Sequence, residues 1–561
     1  MSQIKRRHFL KGSTALYAGG LFSYNDFFKL VNQIAATTIQ KARADVIENQ
    51  SKNYLNLHLS GGPTRFMFDQ WLTPDALDNS FVLGPENSTY WNPGVATAIN
   101  NNSLEYKLYT YRGIRVPHHF QYPVQTSKGS TSLEKLLDHM AVIRGYSSGT
   151  DGHEVNNPIQ TYPDPSAPSL HGLAADYRKD LVSAINYNNQ MPFSSGSGKV
   201  ASAIVNHGGI GGSIGGLMSV FQKYVPQSSV INNLDQLSGS RLYFREIMQQ
   251  AMKSYDRTTA NAIHEHISAG EKLIQLAAED LNRAWTDLLL KYTNAINKSS
   301  QIVDGVGGPI PFLTDKAITI PDAENNKLDT IDVNRSYDLR EMFNSSSGMS
   351  VPNDAARIFA LYEYSLSRGI SGVLSGASGS TVLNSPVINT ASTKNIFSIH
   401  NDQHTILPRV NILSAASYYR GLMGGLLELV DYLKSNTGSD GKDLFSQTVI
   451  HITGDFTRSP RDDMAGYDHG WNSQTTSIIS GAVQAPSIVG NIKKTGVGGY
   501  KGIWGIAEAM DFNGSKEVLS PRHVAAAIAN ILNVPNPWIF THKVWELSNN
   551  VLQTKVGAKI I

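Results

Sequence analysis

Short apolar runs that end in glycine-rich or polar loops constrain this chain most. Tyr54-Leu55-Asn56-Leu57-His58-Leu59 runs into Ser60-Gly61-Gly62-Pro63. Met140–Arg144, Ala201–Val205, Thr448–Ile452 and Ser477–Ser480 have the same character. Such runs read as buried strands. Between and after them lie helical patterns. One carries Leu422, Leu426, Val430 and Leu433 and stops near Gly438, and a last one holds Val524–Ile528. Parallel strands need long crossovers, and helices supplying them cover both sheet faces. The expected fold class is therefore α/β, a doubly wound, mainly parallel sheet.

Residues 240–298 change character, with Ile274, Leu281, Trp285, Leu288 and Tyr292 at helical spacing among charged residues. This reads as a helical insertion or cap over 240–300. It separates an N-terminal part of the domain, 45–239, from a C-terminal part, 301–561. Within the latter, the small-residue run Ser375–Ser380 reads as flexible. No internal repeat of 20 to 50 residues is seen.

Charge narrows the function. Lys+Arg 48 against Asp+Glu 46 gives a net charge of +2, so nucleic acid is not an expected partner. Cysteine is absent, which removes thiol catalysis, disulfides, iron–sulfur clusters and zinc ribbons. No run of about 18 apolar residues predicts a membrane-spanning helix. Arg6-Arg7-His8-Phe9-Leu10-Lys11, followed by the mildly apolar Ala15–Phe22, resembles a twin-arginine export signal. Ala42-Arg43-Ala44 offers a cleavage site, so residues 1–44 are expected to meet the twin-arginine translocon and the rest to be periplasmic or extracellular.

Several motifs fail on inspection. Gly196-Ser197-Gly198-Lys199 suggests a phosphate loop, but Phe193 and Val200 stand where Gly and Ser or Thr are needed. The glycine run 208–216 has Ile214 at the third-glycine position of a dinucleotide loop. His264-Glu265-His266 lacks the spacing that puts two histidines on one helix face. No Gly-x-Ser-x-Gly elbow is present.

Three C-terminal segments place metal-type ligands in loops: Asn401-Asp402-Gln403-His404, Gly454-Asp455-Phe456-Thr457-Arg458, and Tyr467-Asp468-His469-Gly470. Asp455 follows a buried strand, where open α/β sheets bind ligands. Two carboxylates and two imidazoles suit Zn²⁺, Mn²⁺ or iron. Arg458 has the fork to hold a phosphate or sulfate. Singly, each residue also has an ordinary role: Asp402 as a helix cap, His404 packed beneath it, Arg458 as the ion-pair partner of Asp455. Together they favour a site.

The run TVIHITGDFTRSPRDDMAGYDHGWNSQTTSIISGAV resembles the C-terminal signature of the domain-of-unknown-function 1501 family. HNDQHTILPRVNILSAASYYRGLMGGLLELVDYLKS, LHLSGGPTRFMFDQW and HMAVIRGYSSGTDGHEVNN are similar to its other conserved segments, over about 55–545. The resemblance implies an alkaline phosphatase-like or sulfatase-like fold and metal-assisted hydrolysis of phosphate or sulfate esters, small or polymer-borne. It makes Asp402, His404 and His469 the first metal site, with Asp455 in a second or shared site, and the expected cofactor is a divalent metal, zinc or manganese. It also puts His153 near the pocket. Thr64-Arg65-Phe66-Met67 lacks the family's acidic ligand after Gly-Gly-Pro, and Phe456 stands where classical two-metal phosphatases have a second-site histidine. Thr64 and Ser147 are candidate nucleophiles by position. The alternative is a non-catalytic periplasmic or surface binding protein on a decayed hydrolase fold. A carbohydrate-binding role has only the Trp, Tyr and Asn content behind it.

Overall fold

The computed structural model describes residues 51–70, 108–180, 182–187, 191–204, 281–302, 354–379, 408–438, 441–460, 467–493, 506–538 and 542–554, with short pieces at 242, 244–250, 252–253, 317–319, 336–338, 351–352 and 401–402. The export segment, His404, the 208–216 glycine run and His264–His266 lie outside them.

Eight strands form one sheet: β1 (Asn53–Leu59), β2 (Met140–Tyr146), β3 (Ile185–Tyr187), β4 (Ser202–Ile204), β5 (Val373–Ser378), β6 (Thr448–Gly454), β7 (Gln474–Ser480) and β8 (Ser487–Val489). Their order is β8-β2-β7-β6-β1-β5-β3-β4. β1 pairs in parallel with both β5 and β6, and β7 alone runs against its neighbours β6 and β2. The expected mainly parallel sheet is present.

Strand alternation sorts side chains between two helical layers. Leu55, Leu57 and Leu59 join one core with α3 (Leu281–Ser300), α4 (Ala355–Ser367) and α5 (Pro408–Ser435). Each such leucine contributes about 1.5–3 kcal/mol of transfer free energy. Tyr54, Ala141 and Ile143 join a second core with α2 (Leu170–Asp176) and α6 (Pro521–Leu532). Helices therefore cover both faces. Leu422, Leu426, Val430 and Leu433 are buried along α5, which ends at Ser435, three residues before the expected stop.

Two expectations are corrected. Val373–Ser378 is strand β5, hydrogen-bonded beside β1, so its first four small residues are not a flexible run. Smallness is what the strand needs: a Cβ on Gly376 would lie 3.0 Å from Ile358, and Ser375 Oγ donates to Asn56 Oδ1 at 3.0 Å. The second concerns 281–300, which is no appended cap. Trp285, Tyr292 and Ile296 of α3 are buried in the main core with α4 and α5.

The even-numbered side chains of β1 are polar and buried, and they are satisfied as a connected network. Thr476 Oγ1 donates to the Ile452 carbonyl at 2.9 Å. Its oxygen then accepts from His451 Nε2–H at 2.9 Å, leaving His451 Nδ1 to accept from Tyr54 at 2.8 Å. That neutral form is the one burial favours: the His451 and His119 imidazoles are pushed down to about 3 and His171 to about 4. Unfolded, these histidines take up protons near pH 6.5. On these three histidines the folded chain holds fewer protons below that pH, so their contribution to stability is full above about pH 6.5 and falls as pH drops towards 4. Each histidine accounts for about 1.4 kcal/mol per pH unit. Chemical denaturation between pH 7 and 4.5 should show this slope, and His451→Gln should flatten it; an equally steep slope in the variant would refute the assignment.

Candidate metal centre

The carboxyl end of β1 and β6 carries the cluster. β6 delivers Asp455, and the hairpin Thr457–Pro460/Tyr467–Gly470 folds back so that Arg458 pairs with His469. Asp468 pairs with Ser459, one position along the same ladder. The Ser60-Gly61-Gly62 turn after β1 packs beneath. Gly61 and Gly62 have φ of +85° and +62°, a left-handed conformation that glycine adopts without steric cost. A Cβ on Gly62 would also lie 2.7 Å from Phe456, and one on Gly61 2.9 Å from Asp402 N.

Asp455, 4% exposed, accepts from three separate elements. His58 Nε2 donates to Oδ1. Gly61 N–H and His153 Nδ1 reach Oδ2 at 2.8 and 2.7 Å. Thr453 Oγ1 accepts from Asn56 and so turns its hydrogen to His58 Nδ1 at 3.1 Å, which leaves the Nε2–H of His58 for Asp455. Burial alone would raise the Asp455 carboxyl, but the hydrogen bonds from His153, His58 and Gly61 prevail and hold it well below the usual range. Both oxygens are thereby engaged by donors. The residue expected to share a metal serves in this arrangement as the anchor of the histidines.

His153 opens helix α1 (His153–Ile159). Its Nε2 lies 3.5 Å from Asp402 Oδ1, and its ring sits 4.9 Å from that of His469 and 4.6 Å from that of Phe456. The carboxylates of Asp402 and Asp455 hold the His153 imidazolium up at about 9, against partial burial. His469 is stacked on Phe456 at 4.0 Å, with its Nδ1 held by Asp151 at 2.6 Å. Both histidines thus have Nδ1 fixed by an aspartate, an arrangement that orients Nε2 towards a metal. One ligand atom each from His153, Asp402 and His469 lie within 4.8 Å of one another. Two imidazoles and a carboxylate match the ligand types of catalytic zinc and non-haem iron sites.

The remaining expected residues are placed as follows. Arg458, buried, donates from Nε to Gly62 O at 2.8 Å and from a terminal nitrogen to Gly61 O at 2.6 Å and to Asp402. Its ion-pair partner is therefore Asp402, not Asp455, and its fork is directed at the turn. Thr64 is buried at the start of the helical turn Arg65–Met67. The next acidic residue, Asp69, is gripped by Arg65 through two hydrogen bonds. Ser147 donates to Asn472 at 2.9 Å and lines a separate cavity of about 750 Å³. No hydrogen bond or ring contact among the described residues joins Thr64 or Ser147 to the histidines. Asp402 belongs to the cluster, positioned by Asn401 Nδ2 donating to Ser60 O at 3.0 Å.

His58 and Asp151 were missed in the sequence. His58 reads as one more strand residue, and Asp151 as a turn former before Gly152. The rejected phosphate loop is filled from within: Gly196 N–H and Ser197 Oγ bind the Asp176 carboxylate at 2.7 and 2.5 Å.

No family model, no curated protein and no solved structure matches this chain. Among the described residues no helix is long and apolar enough to cross a membrane.

The anchoring role of Asp455 is testable. Asp455→Ala leaves its three donors, the buried His58 among them, without their acceptor and should cost about 3–5 kcal/mol, whereas His153→Ala, at a half-exposed site, should cost about 1 kcal/mol. Equal losses in urea denaturation would contradict it. Gly62→Ala should destabilise by at least 1 kcal/mol through its left-handed backbone and the contact with Phe456.

Proposed function

We propose that this chain is an exported, metal-dependent hydrolase of the alkaline phosphatase or sulfatase type, acting on phosphate or sulfate esters. The observation that carries the reading is the convergence of His153, Asp402 and His469 at the carboxyl ends of the central parallel strands, each histidine backed by an aspartate. The signature resemblance and the covered, mainly parallel sheet support it, and Arg6-Arg7 supports twin-arginine export. His153, Asp402 and His469 would hold the ion, with His404, two residues from Asp402, as a further candidate ligand. Bound there, a divalent ion such as zinc or manganese would polarise an ester oxygen and lower the pKa of a bound water.

The chain's own residues then have distinct tasks. Asp455 and Asp151 orient the two imidazoles through their Nδ1 atoms. Phe456 stacks on the His469 ring and packs, tilted, against that of His153. Arg458 is a positioning residue: it fixes Asp402 and the Gly61-Gly62 turn, and it leaves a fixed positive charge beside the place where ester charge would build up. The buried Thr64 and the Asn472-bound Ser147 make water a better nucleophile for this arrangement than either hydroxyl.

One observation favours a second reading, a non-catalytic binding protein on a decayed hydrolase fold. Asp402 is already ion-paired with Arg458, and no acidic side chain follows Gly-Gly-Pro before Asp69. The two readings part on turnover. Chain purified without chelator and loaded with Zn²⁺ or Mn²⁺ should hydrolyse p-nitrophenyl phosphate or p-nitrophenyl sulfate. Asp402→Ala and His469→Ala should lose about 100-fold or more with unchanged circular dichroism. No turnover with any metal, together with a melting temperature insensitive to EDTA, would replace the hydrolase reading with the second.

A further inference from the structure

Lys52 immediately precedes β1 and lies at the amino end of the sheet, opposite the histidine cluster. It is only 6% exposed, and its Nζ has no hydrogen-bond partner among the described residues. Lysine is rarely buried without a partner, because an ammonium removed from water needs compensation. Here the neighbouring charge is of the same sign. Burial first, then Lys442, pushes the Lys52 ammonium down to about 8, so it is still mostly charged at neutral pH.

Lys52 lines a cavity of about 630 Å³. The acidic group in that wall is already satisfied. Arg178 holds Asp180 through two hydrogen bonds of 2.6 and 2.9 Å, and Gly372 N–H donates to the same carboxylate at 2.8 Å. Arg178 spends another nitrogen on Ser51 O at 2.9 Å. One positive charge is therefore left over in a wall that also includes Thr437 and Gln447, while the Ser371 hydroxyl and an Asn436 N–H are given to the Val373 and Tyr432 carbonyls. A surplus buried cation lining a polar cavity is the complement of a compact oxyanion.

We propose that this cavity is a binding site for an oxyanion of the phosphate or sulfate class, with Lys52 as its charged anchor. Its volume exceeds that of a bare tetrahedral anion, so a monoester-borne group fits as well as the free ion. The site is separate from the histidine cluster and does not depend on the hydrolase reading.

Calorimetric titration of the full chain at pH 7 and constant ionic strength tests this, with inorganic phosphate in one arm and glycerol 3-phosphate in the other. Saturable binding is expected in at least one arm, and the stronger arm identifies the source of the group. Lys52→Met should weaken it about tenfold or more. In phosphate-free buffer this variant should melt at or above the wild type, because the buried charge is gone. If Lys52→Met fails to fold, Lys52→Arg should retain affinity and Lys52→Gln should lose it. Asp402→Asn should leave this binding unchanged. Absence of binding, binding that survives loss of the Lys52 charge, or binding abolished only by Asp402→Asn would overturn the proposal.

Discussion

The arrangement depends on one buried carboxylate. Asp455 accepts hydrogen bonds from His58 on β1, from the Gly61 amide in the turn after β1, and from His153 at the start of α1. Those donors lie 302 to 397 positions from Asp455 in sequence, so the carboxylate ties strand, turn and helix into one unit. A buried anion is costly in isolation and acceptable when several donors converge on it. The cost is what makes the geometry specific: few other placements of these elements satisfy both oxygens.

From that anchor the polar network extends in two directions. Inward, it runs through His58, Thr453 and Asn56 to Ser375, crossing three parallel strands with donors and acceptors matched. Outward, it sets the ring of His153, against which His469 and Phe456 pack. Arg458 closes the rim by holding Asp402 to the glycine turn. The buried network and the ring of His153 thus share one anchor, which is how side chains at a rim gain precision from the scaffold beneath them.

Much of the sheet was legible in the sequence because apolar runs of this length have few other destinations. β1, β2 and β6 and helices α5 and α6 were read from periodicity. β5 was not, because Ser375, Gly376 and Ser378 carry no hydrophobic signal; their size answers a crowding by Ile358 and Asn56 that only the tertiary fold reveals. α3 was read as helical but not as core, since its charged residues mask the stripe of Trp285, Tyr292 and Ile296. In the site, Asp402, Asp455, Arg458 and His469 stood out by type and spacing. His58 did not, because alternation along a strand assigns it to a buried face without naming its partner. The roles of Asp455 and Arg458 also changed, since sequence identifies a residue's chemistry but not which neighbours consume it.

The central claim, that His153, Asp402 and His469 form one metal centre, is tested most directly by anomalous diffraction. The crystal would be grown without chelator and equilibrated with zinc or manganese. One anomalous peak is expected within about 2.3 Å of an imidazole nitrogen of each histidine and of an Asp402 oxygen, with the Asp402–Arg458 contact loosened and both Asp455 oxygens still on their donors. A crystal saturated with metal elsewhere but lacking a peak between these three residues, with the Asp402–Arg458 pair intact, would contradict it.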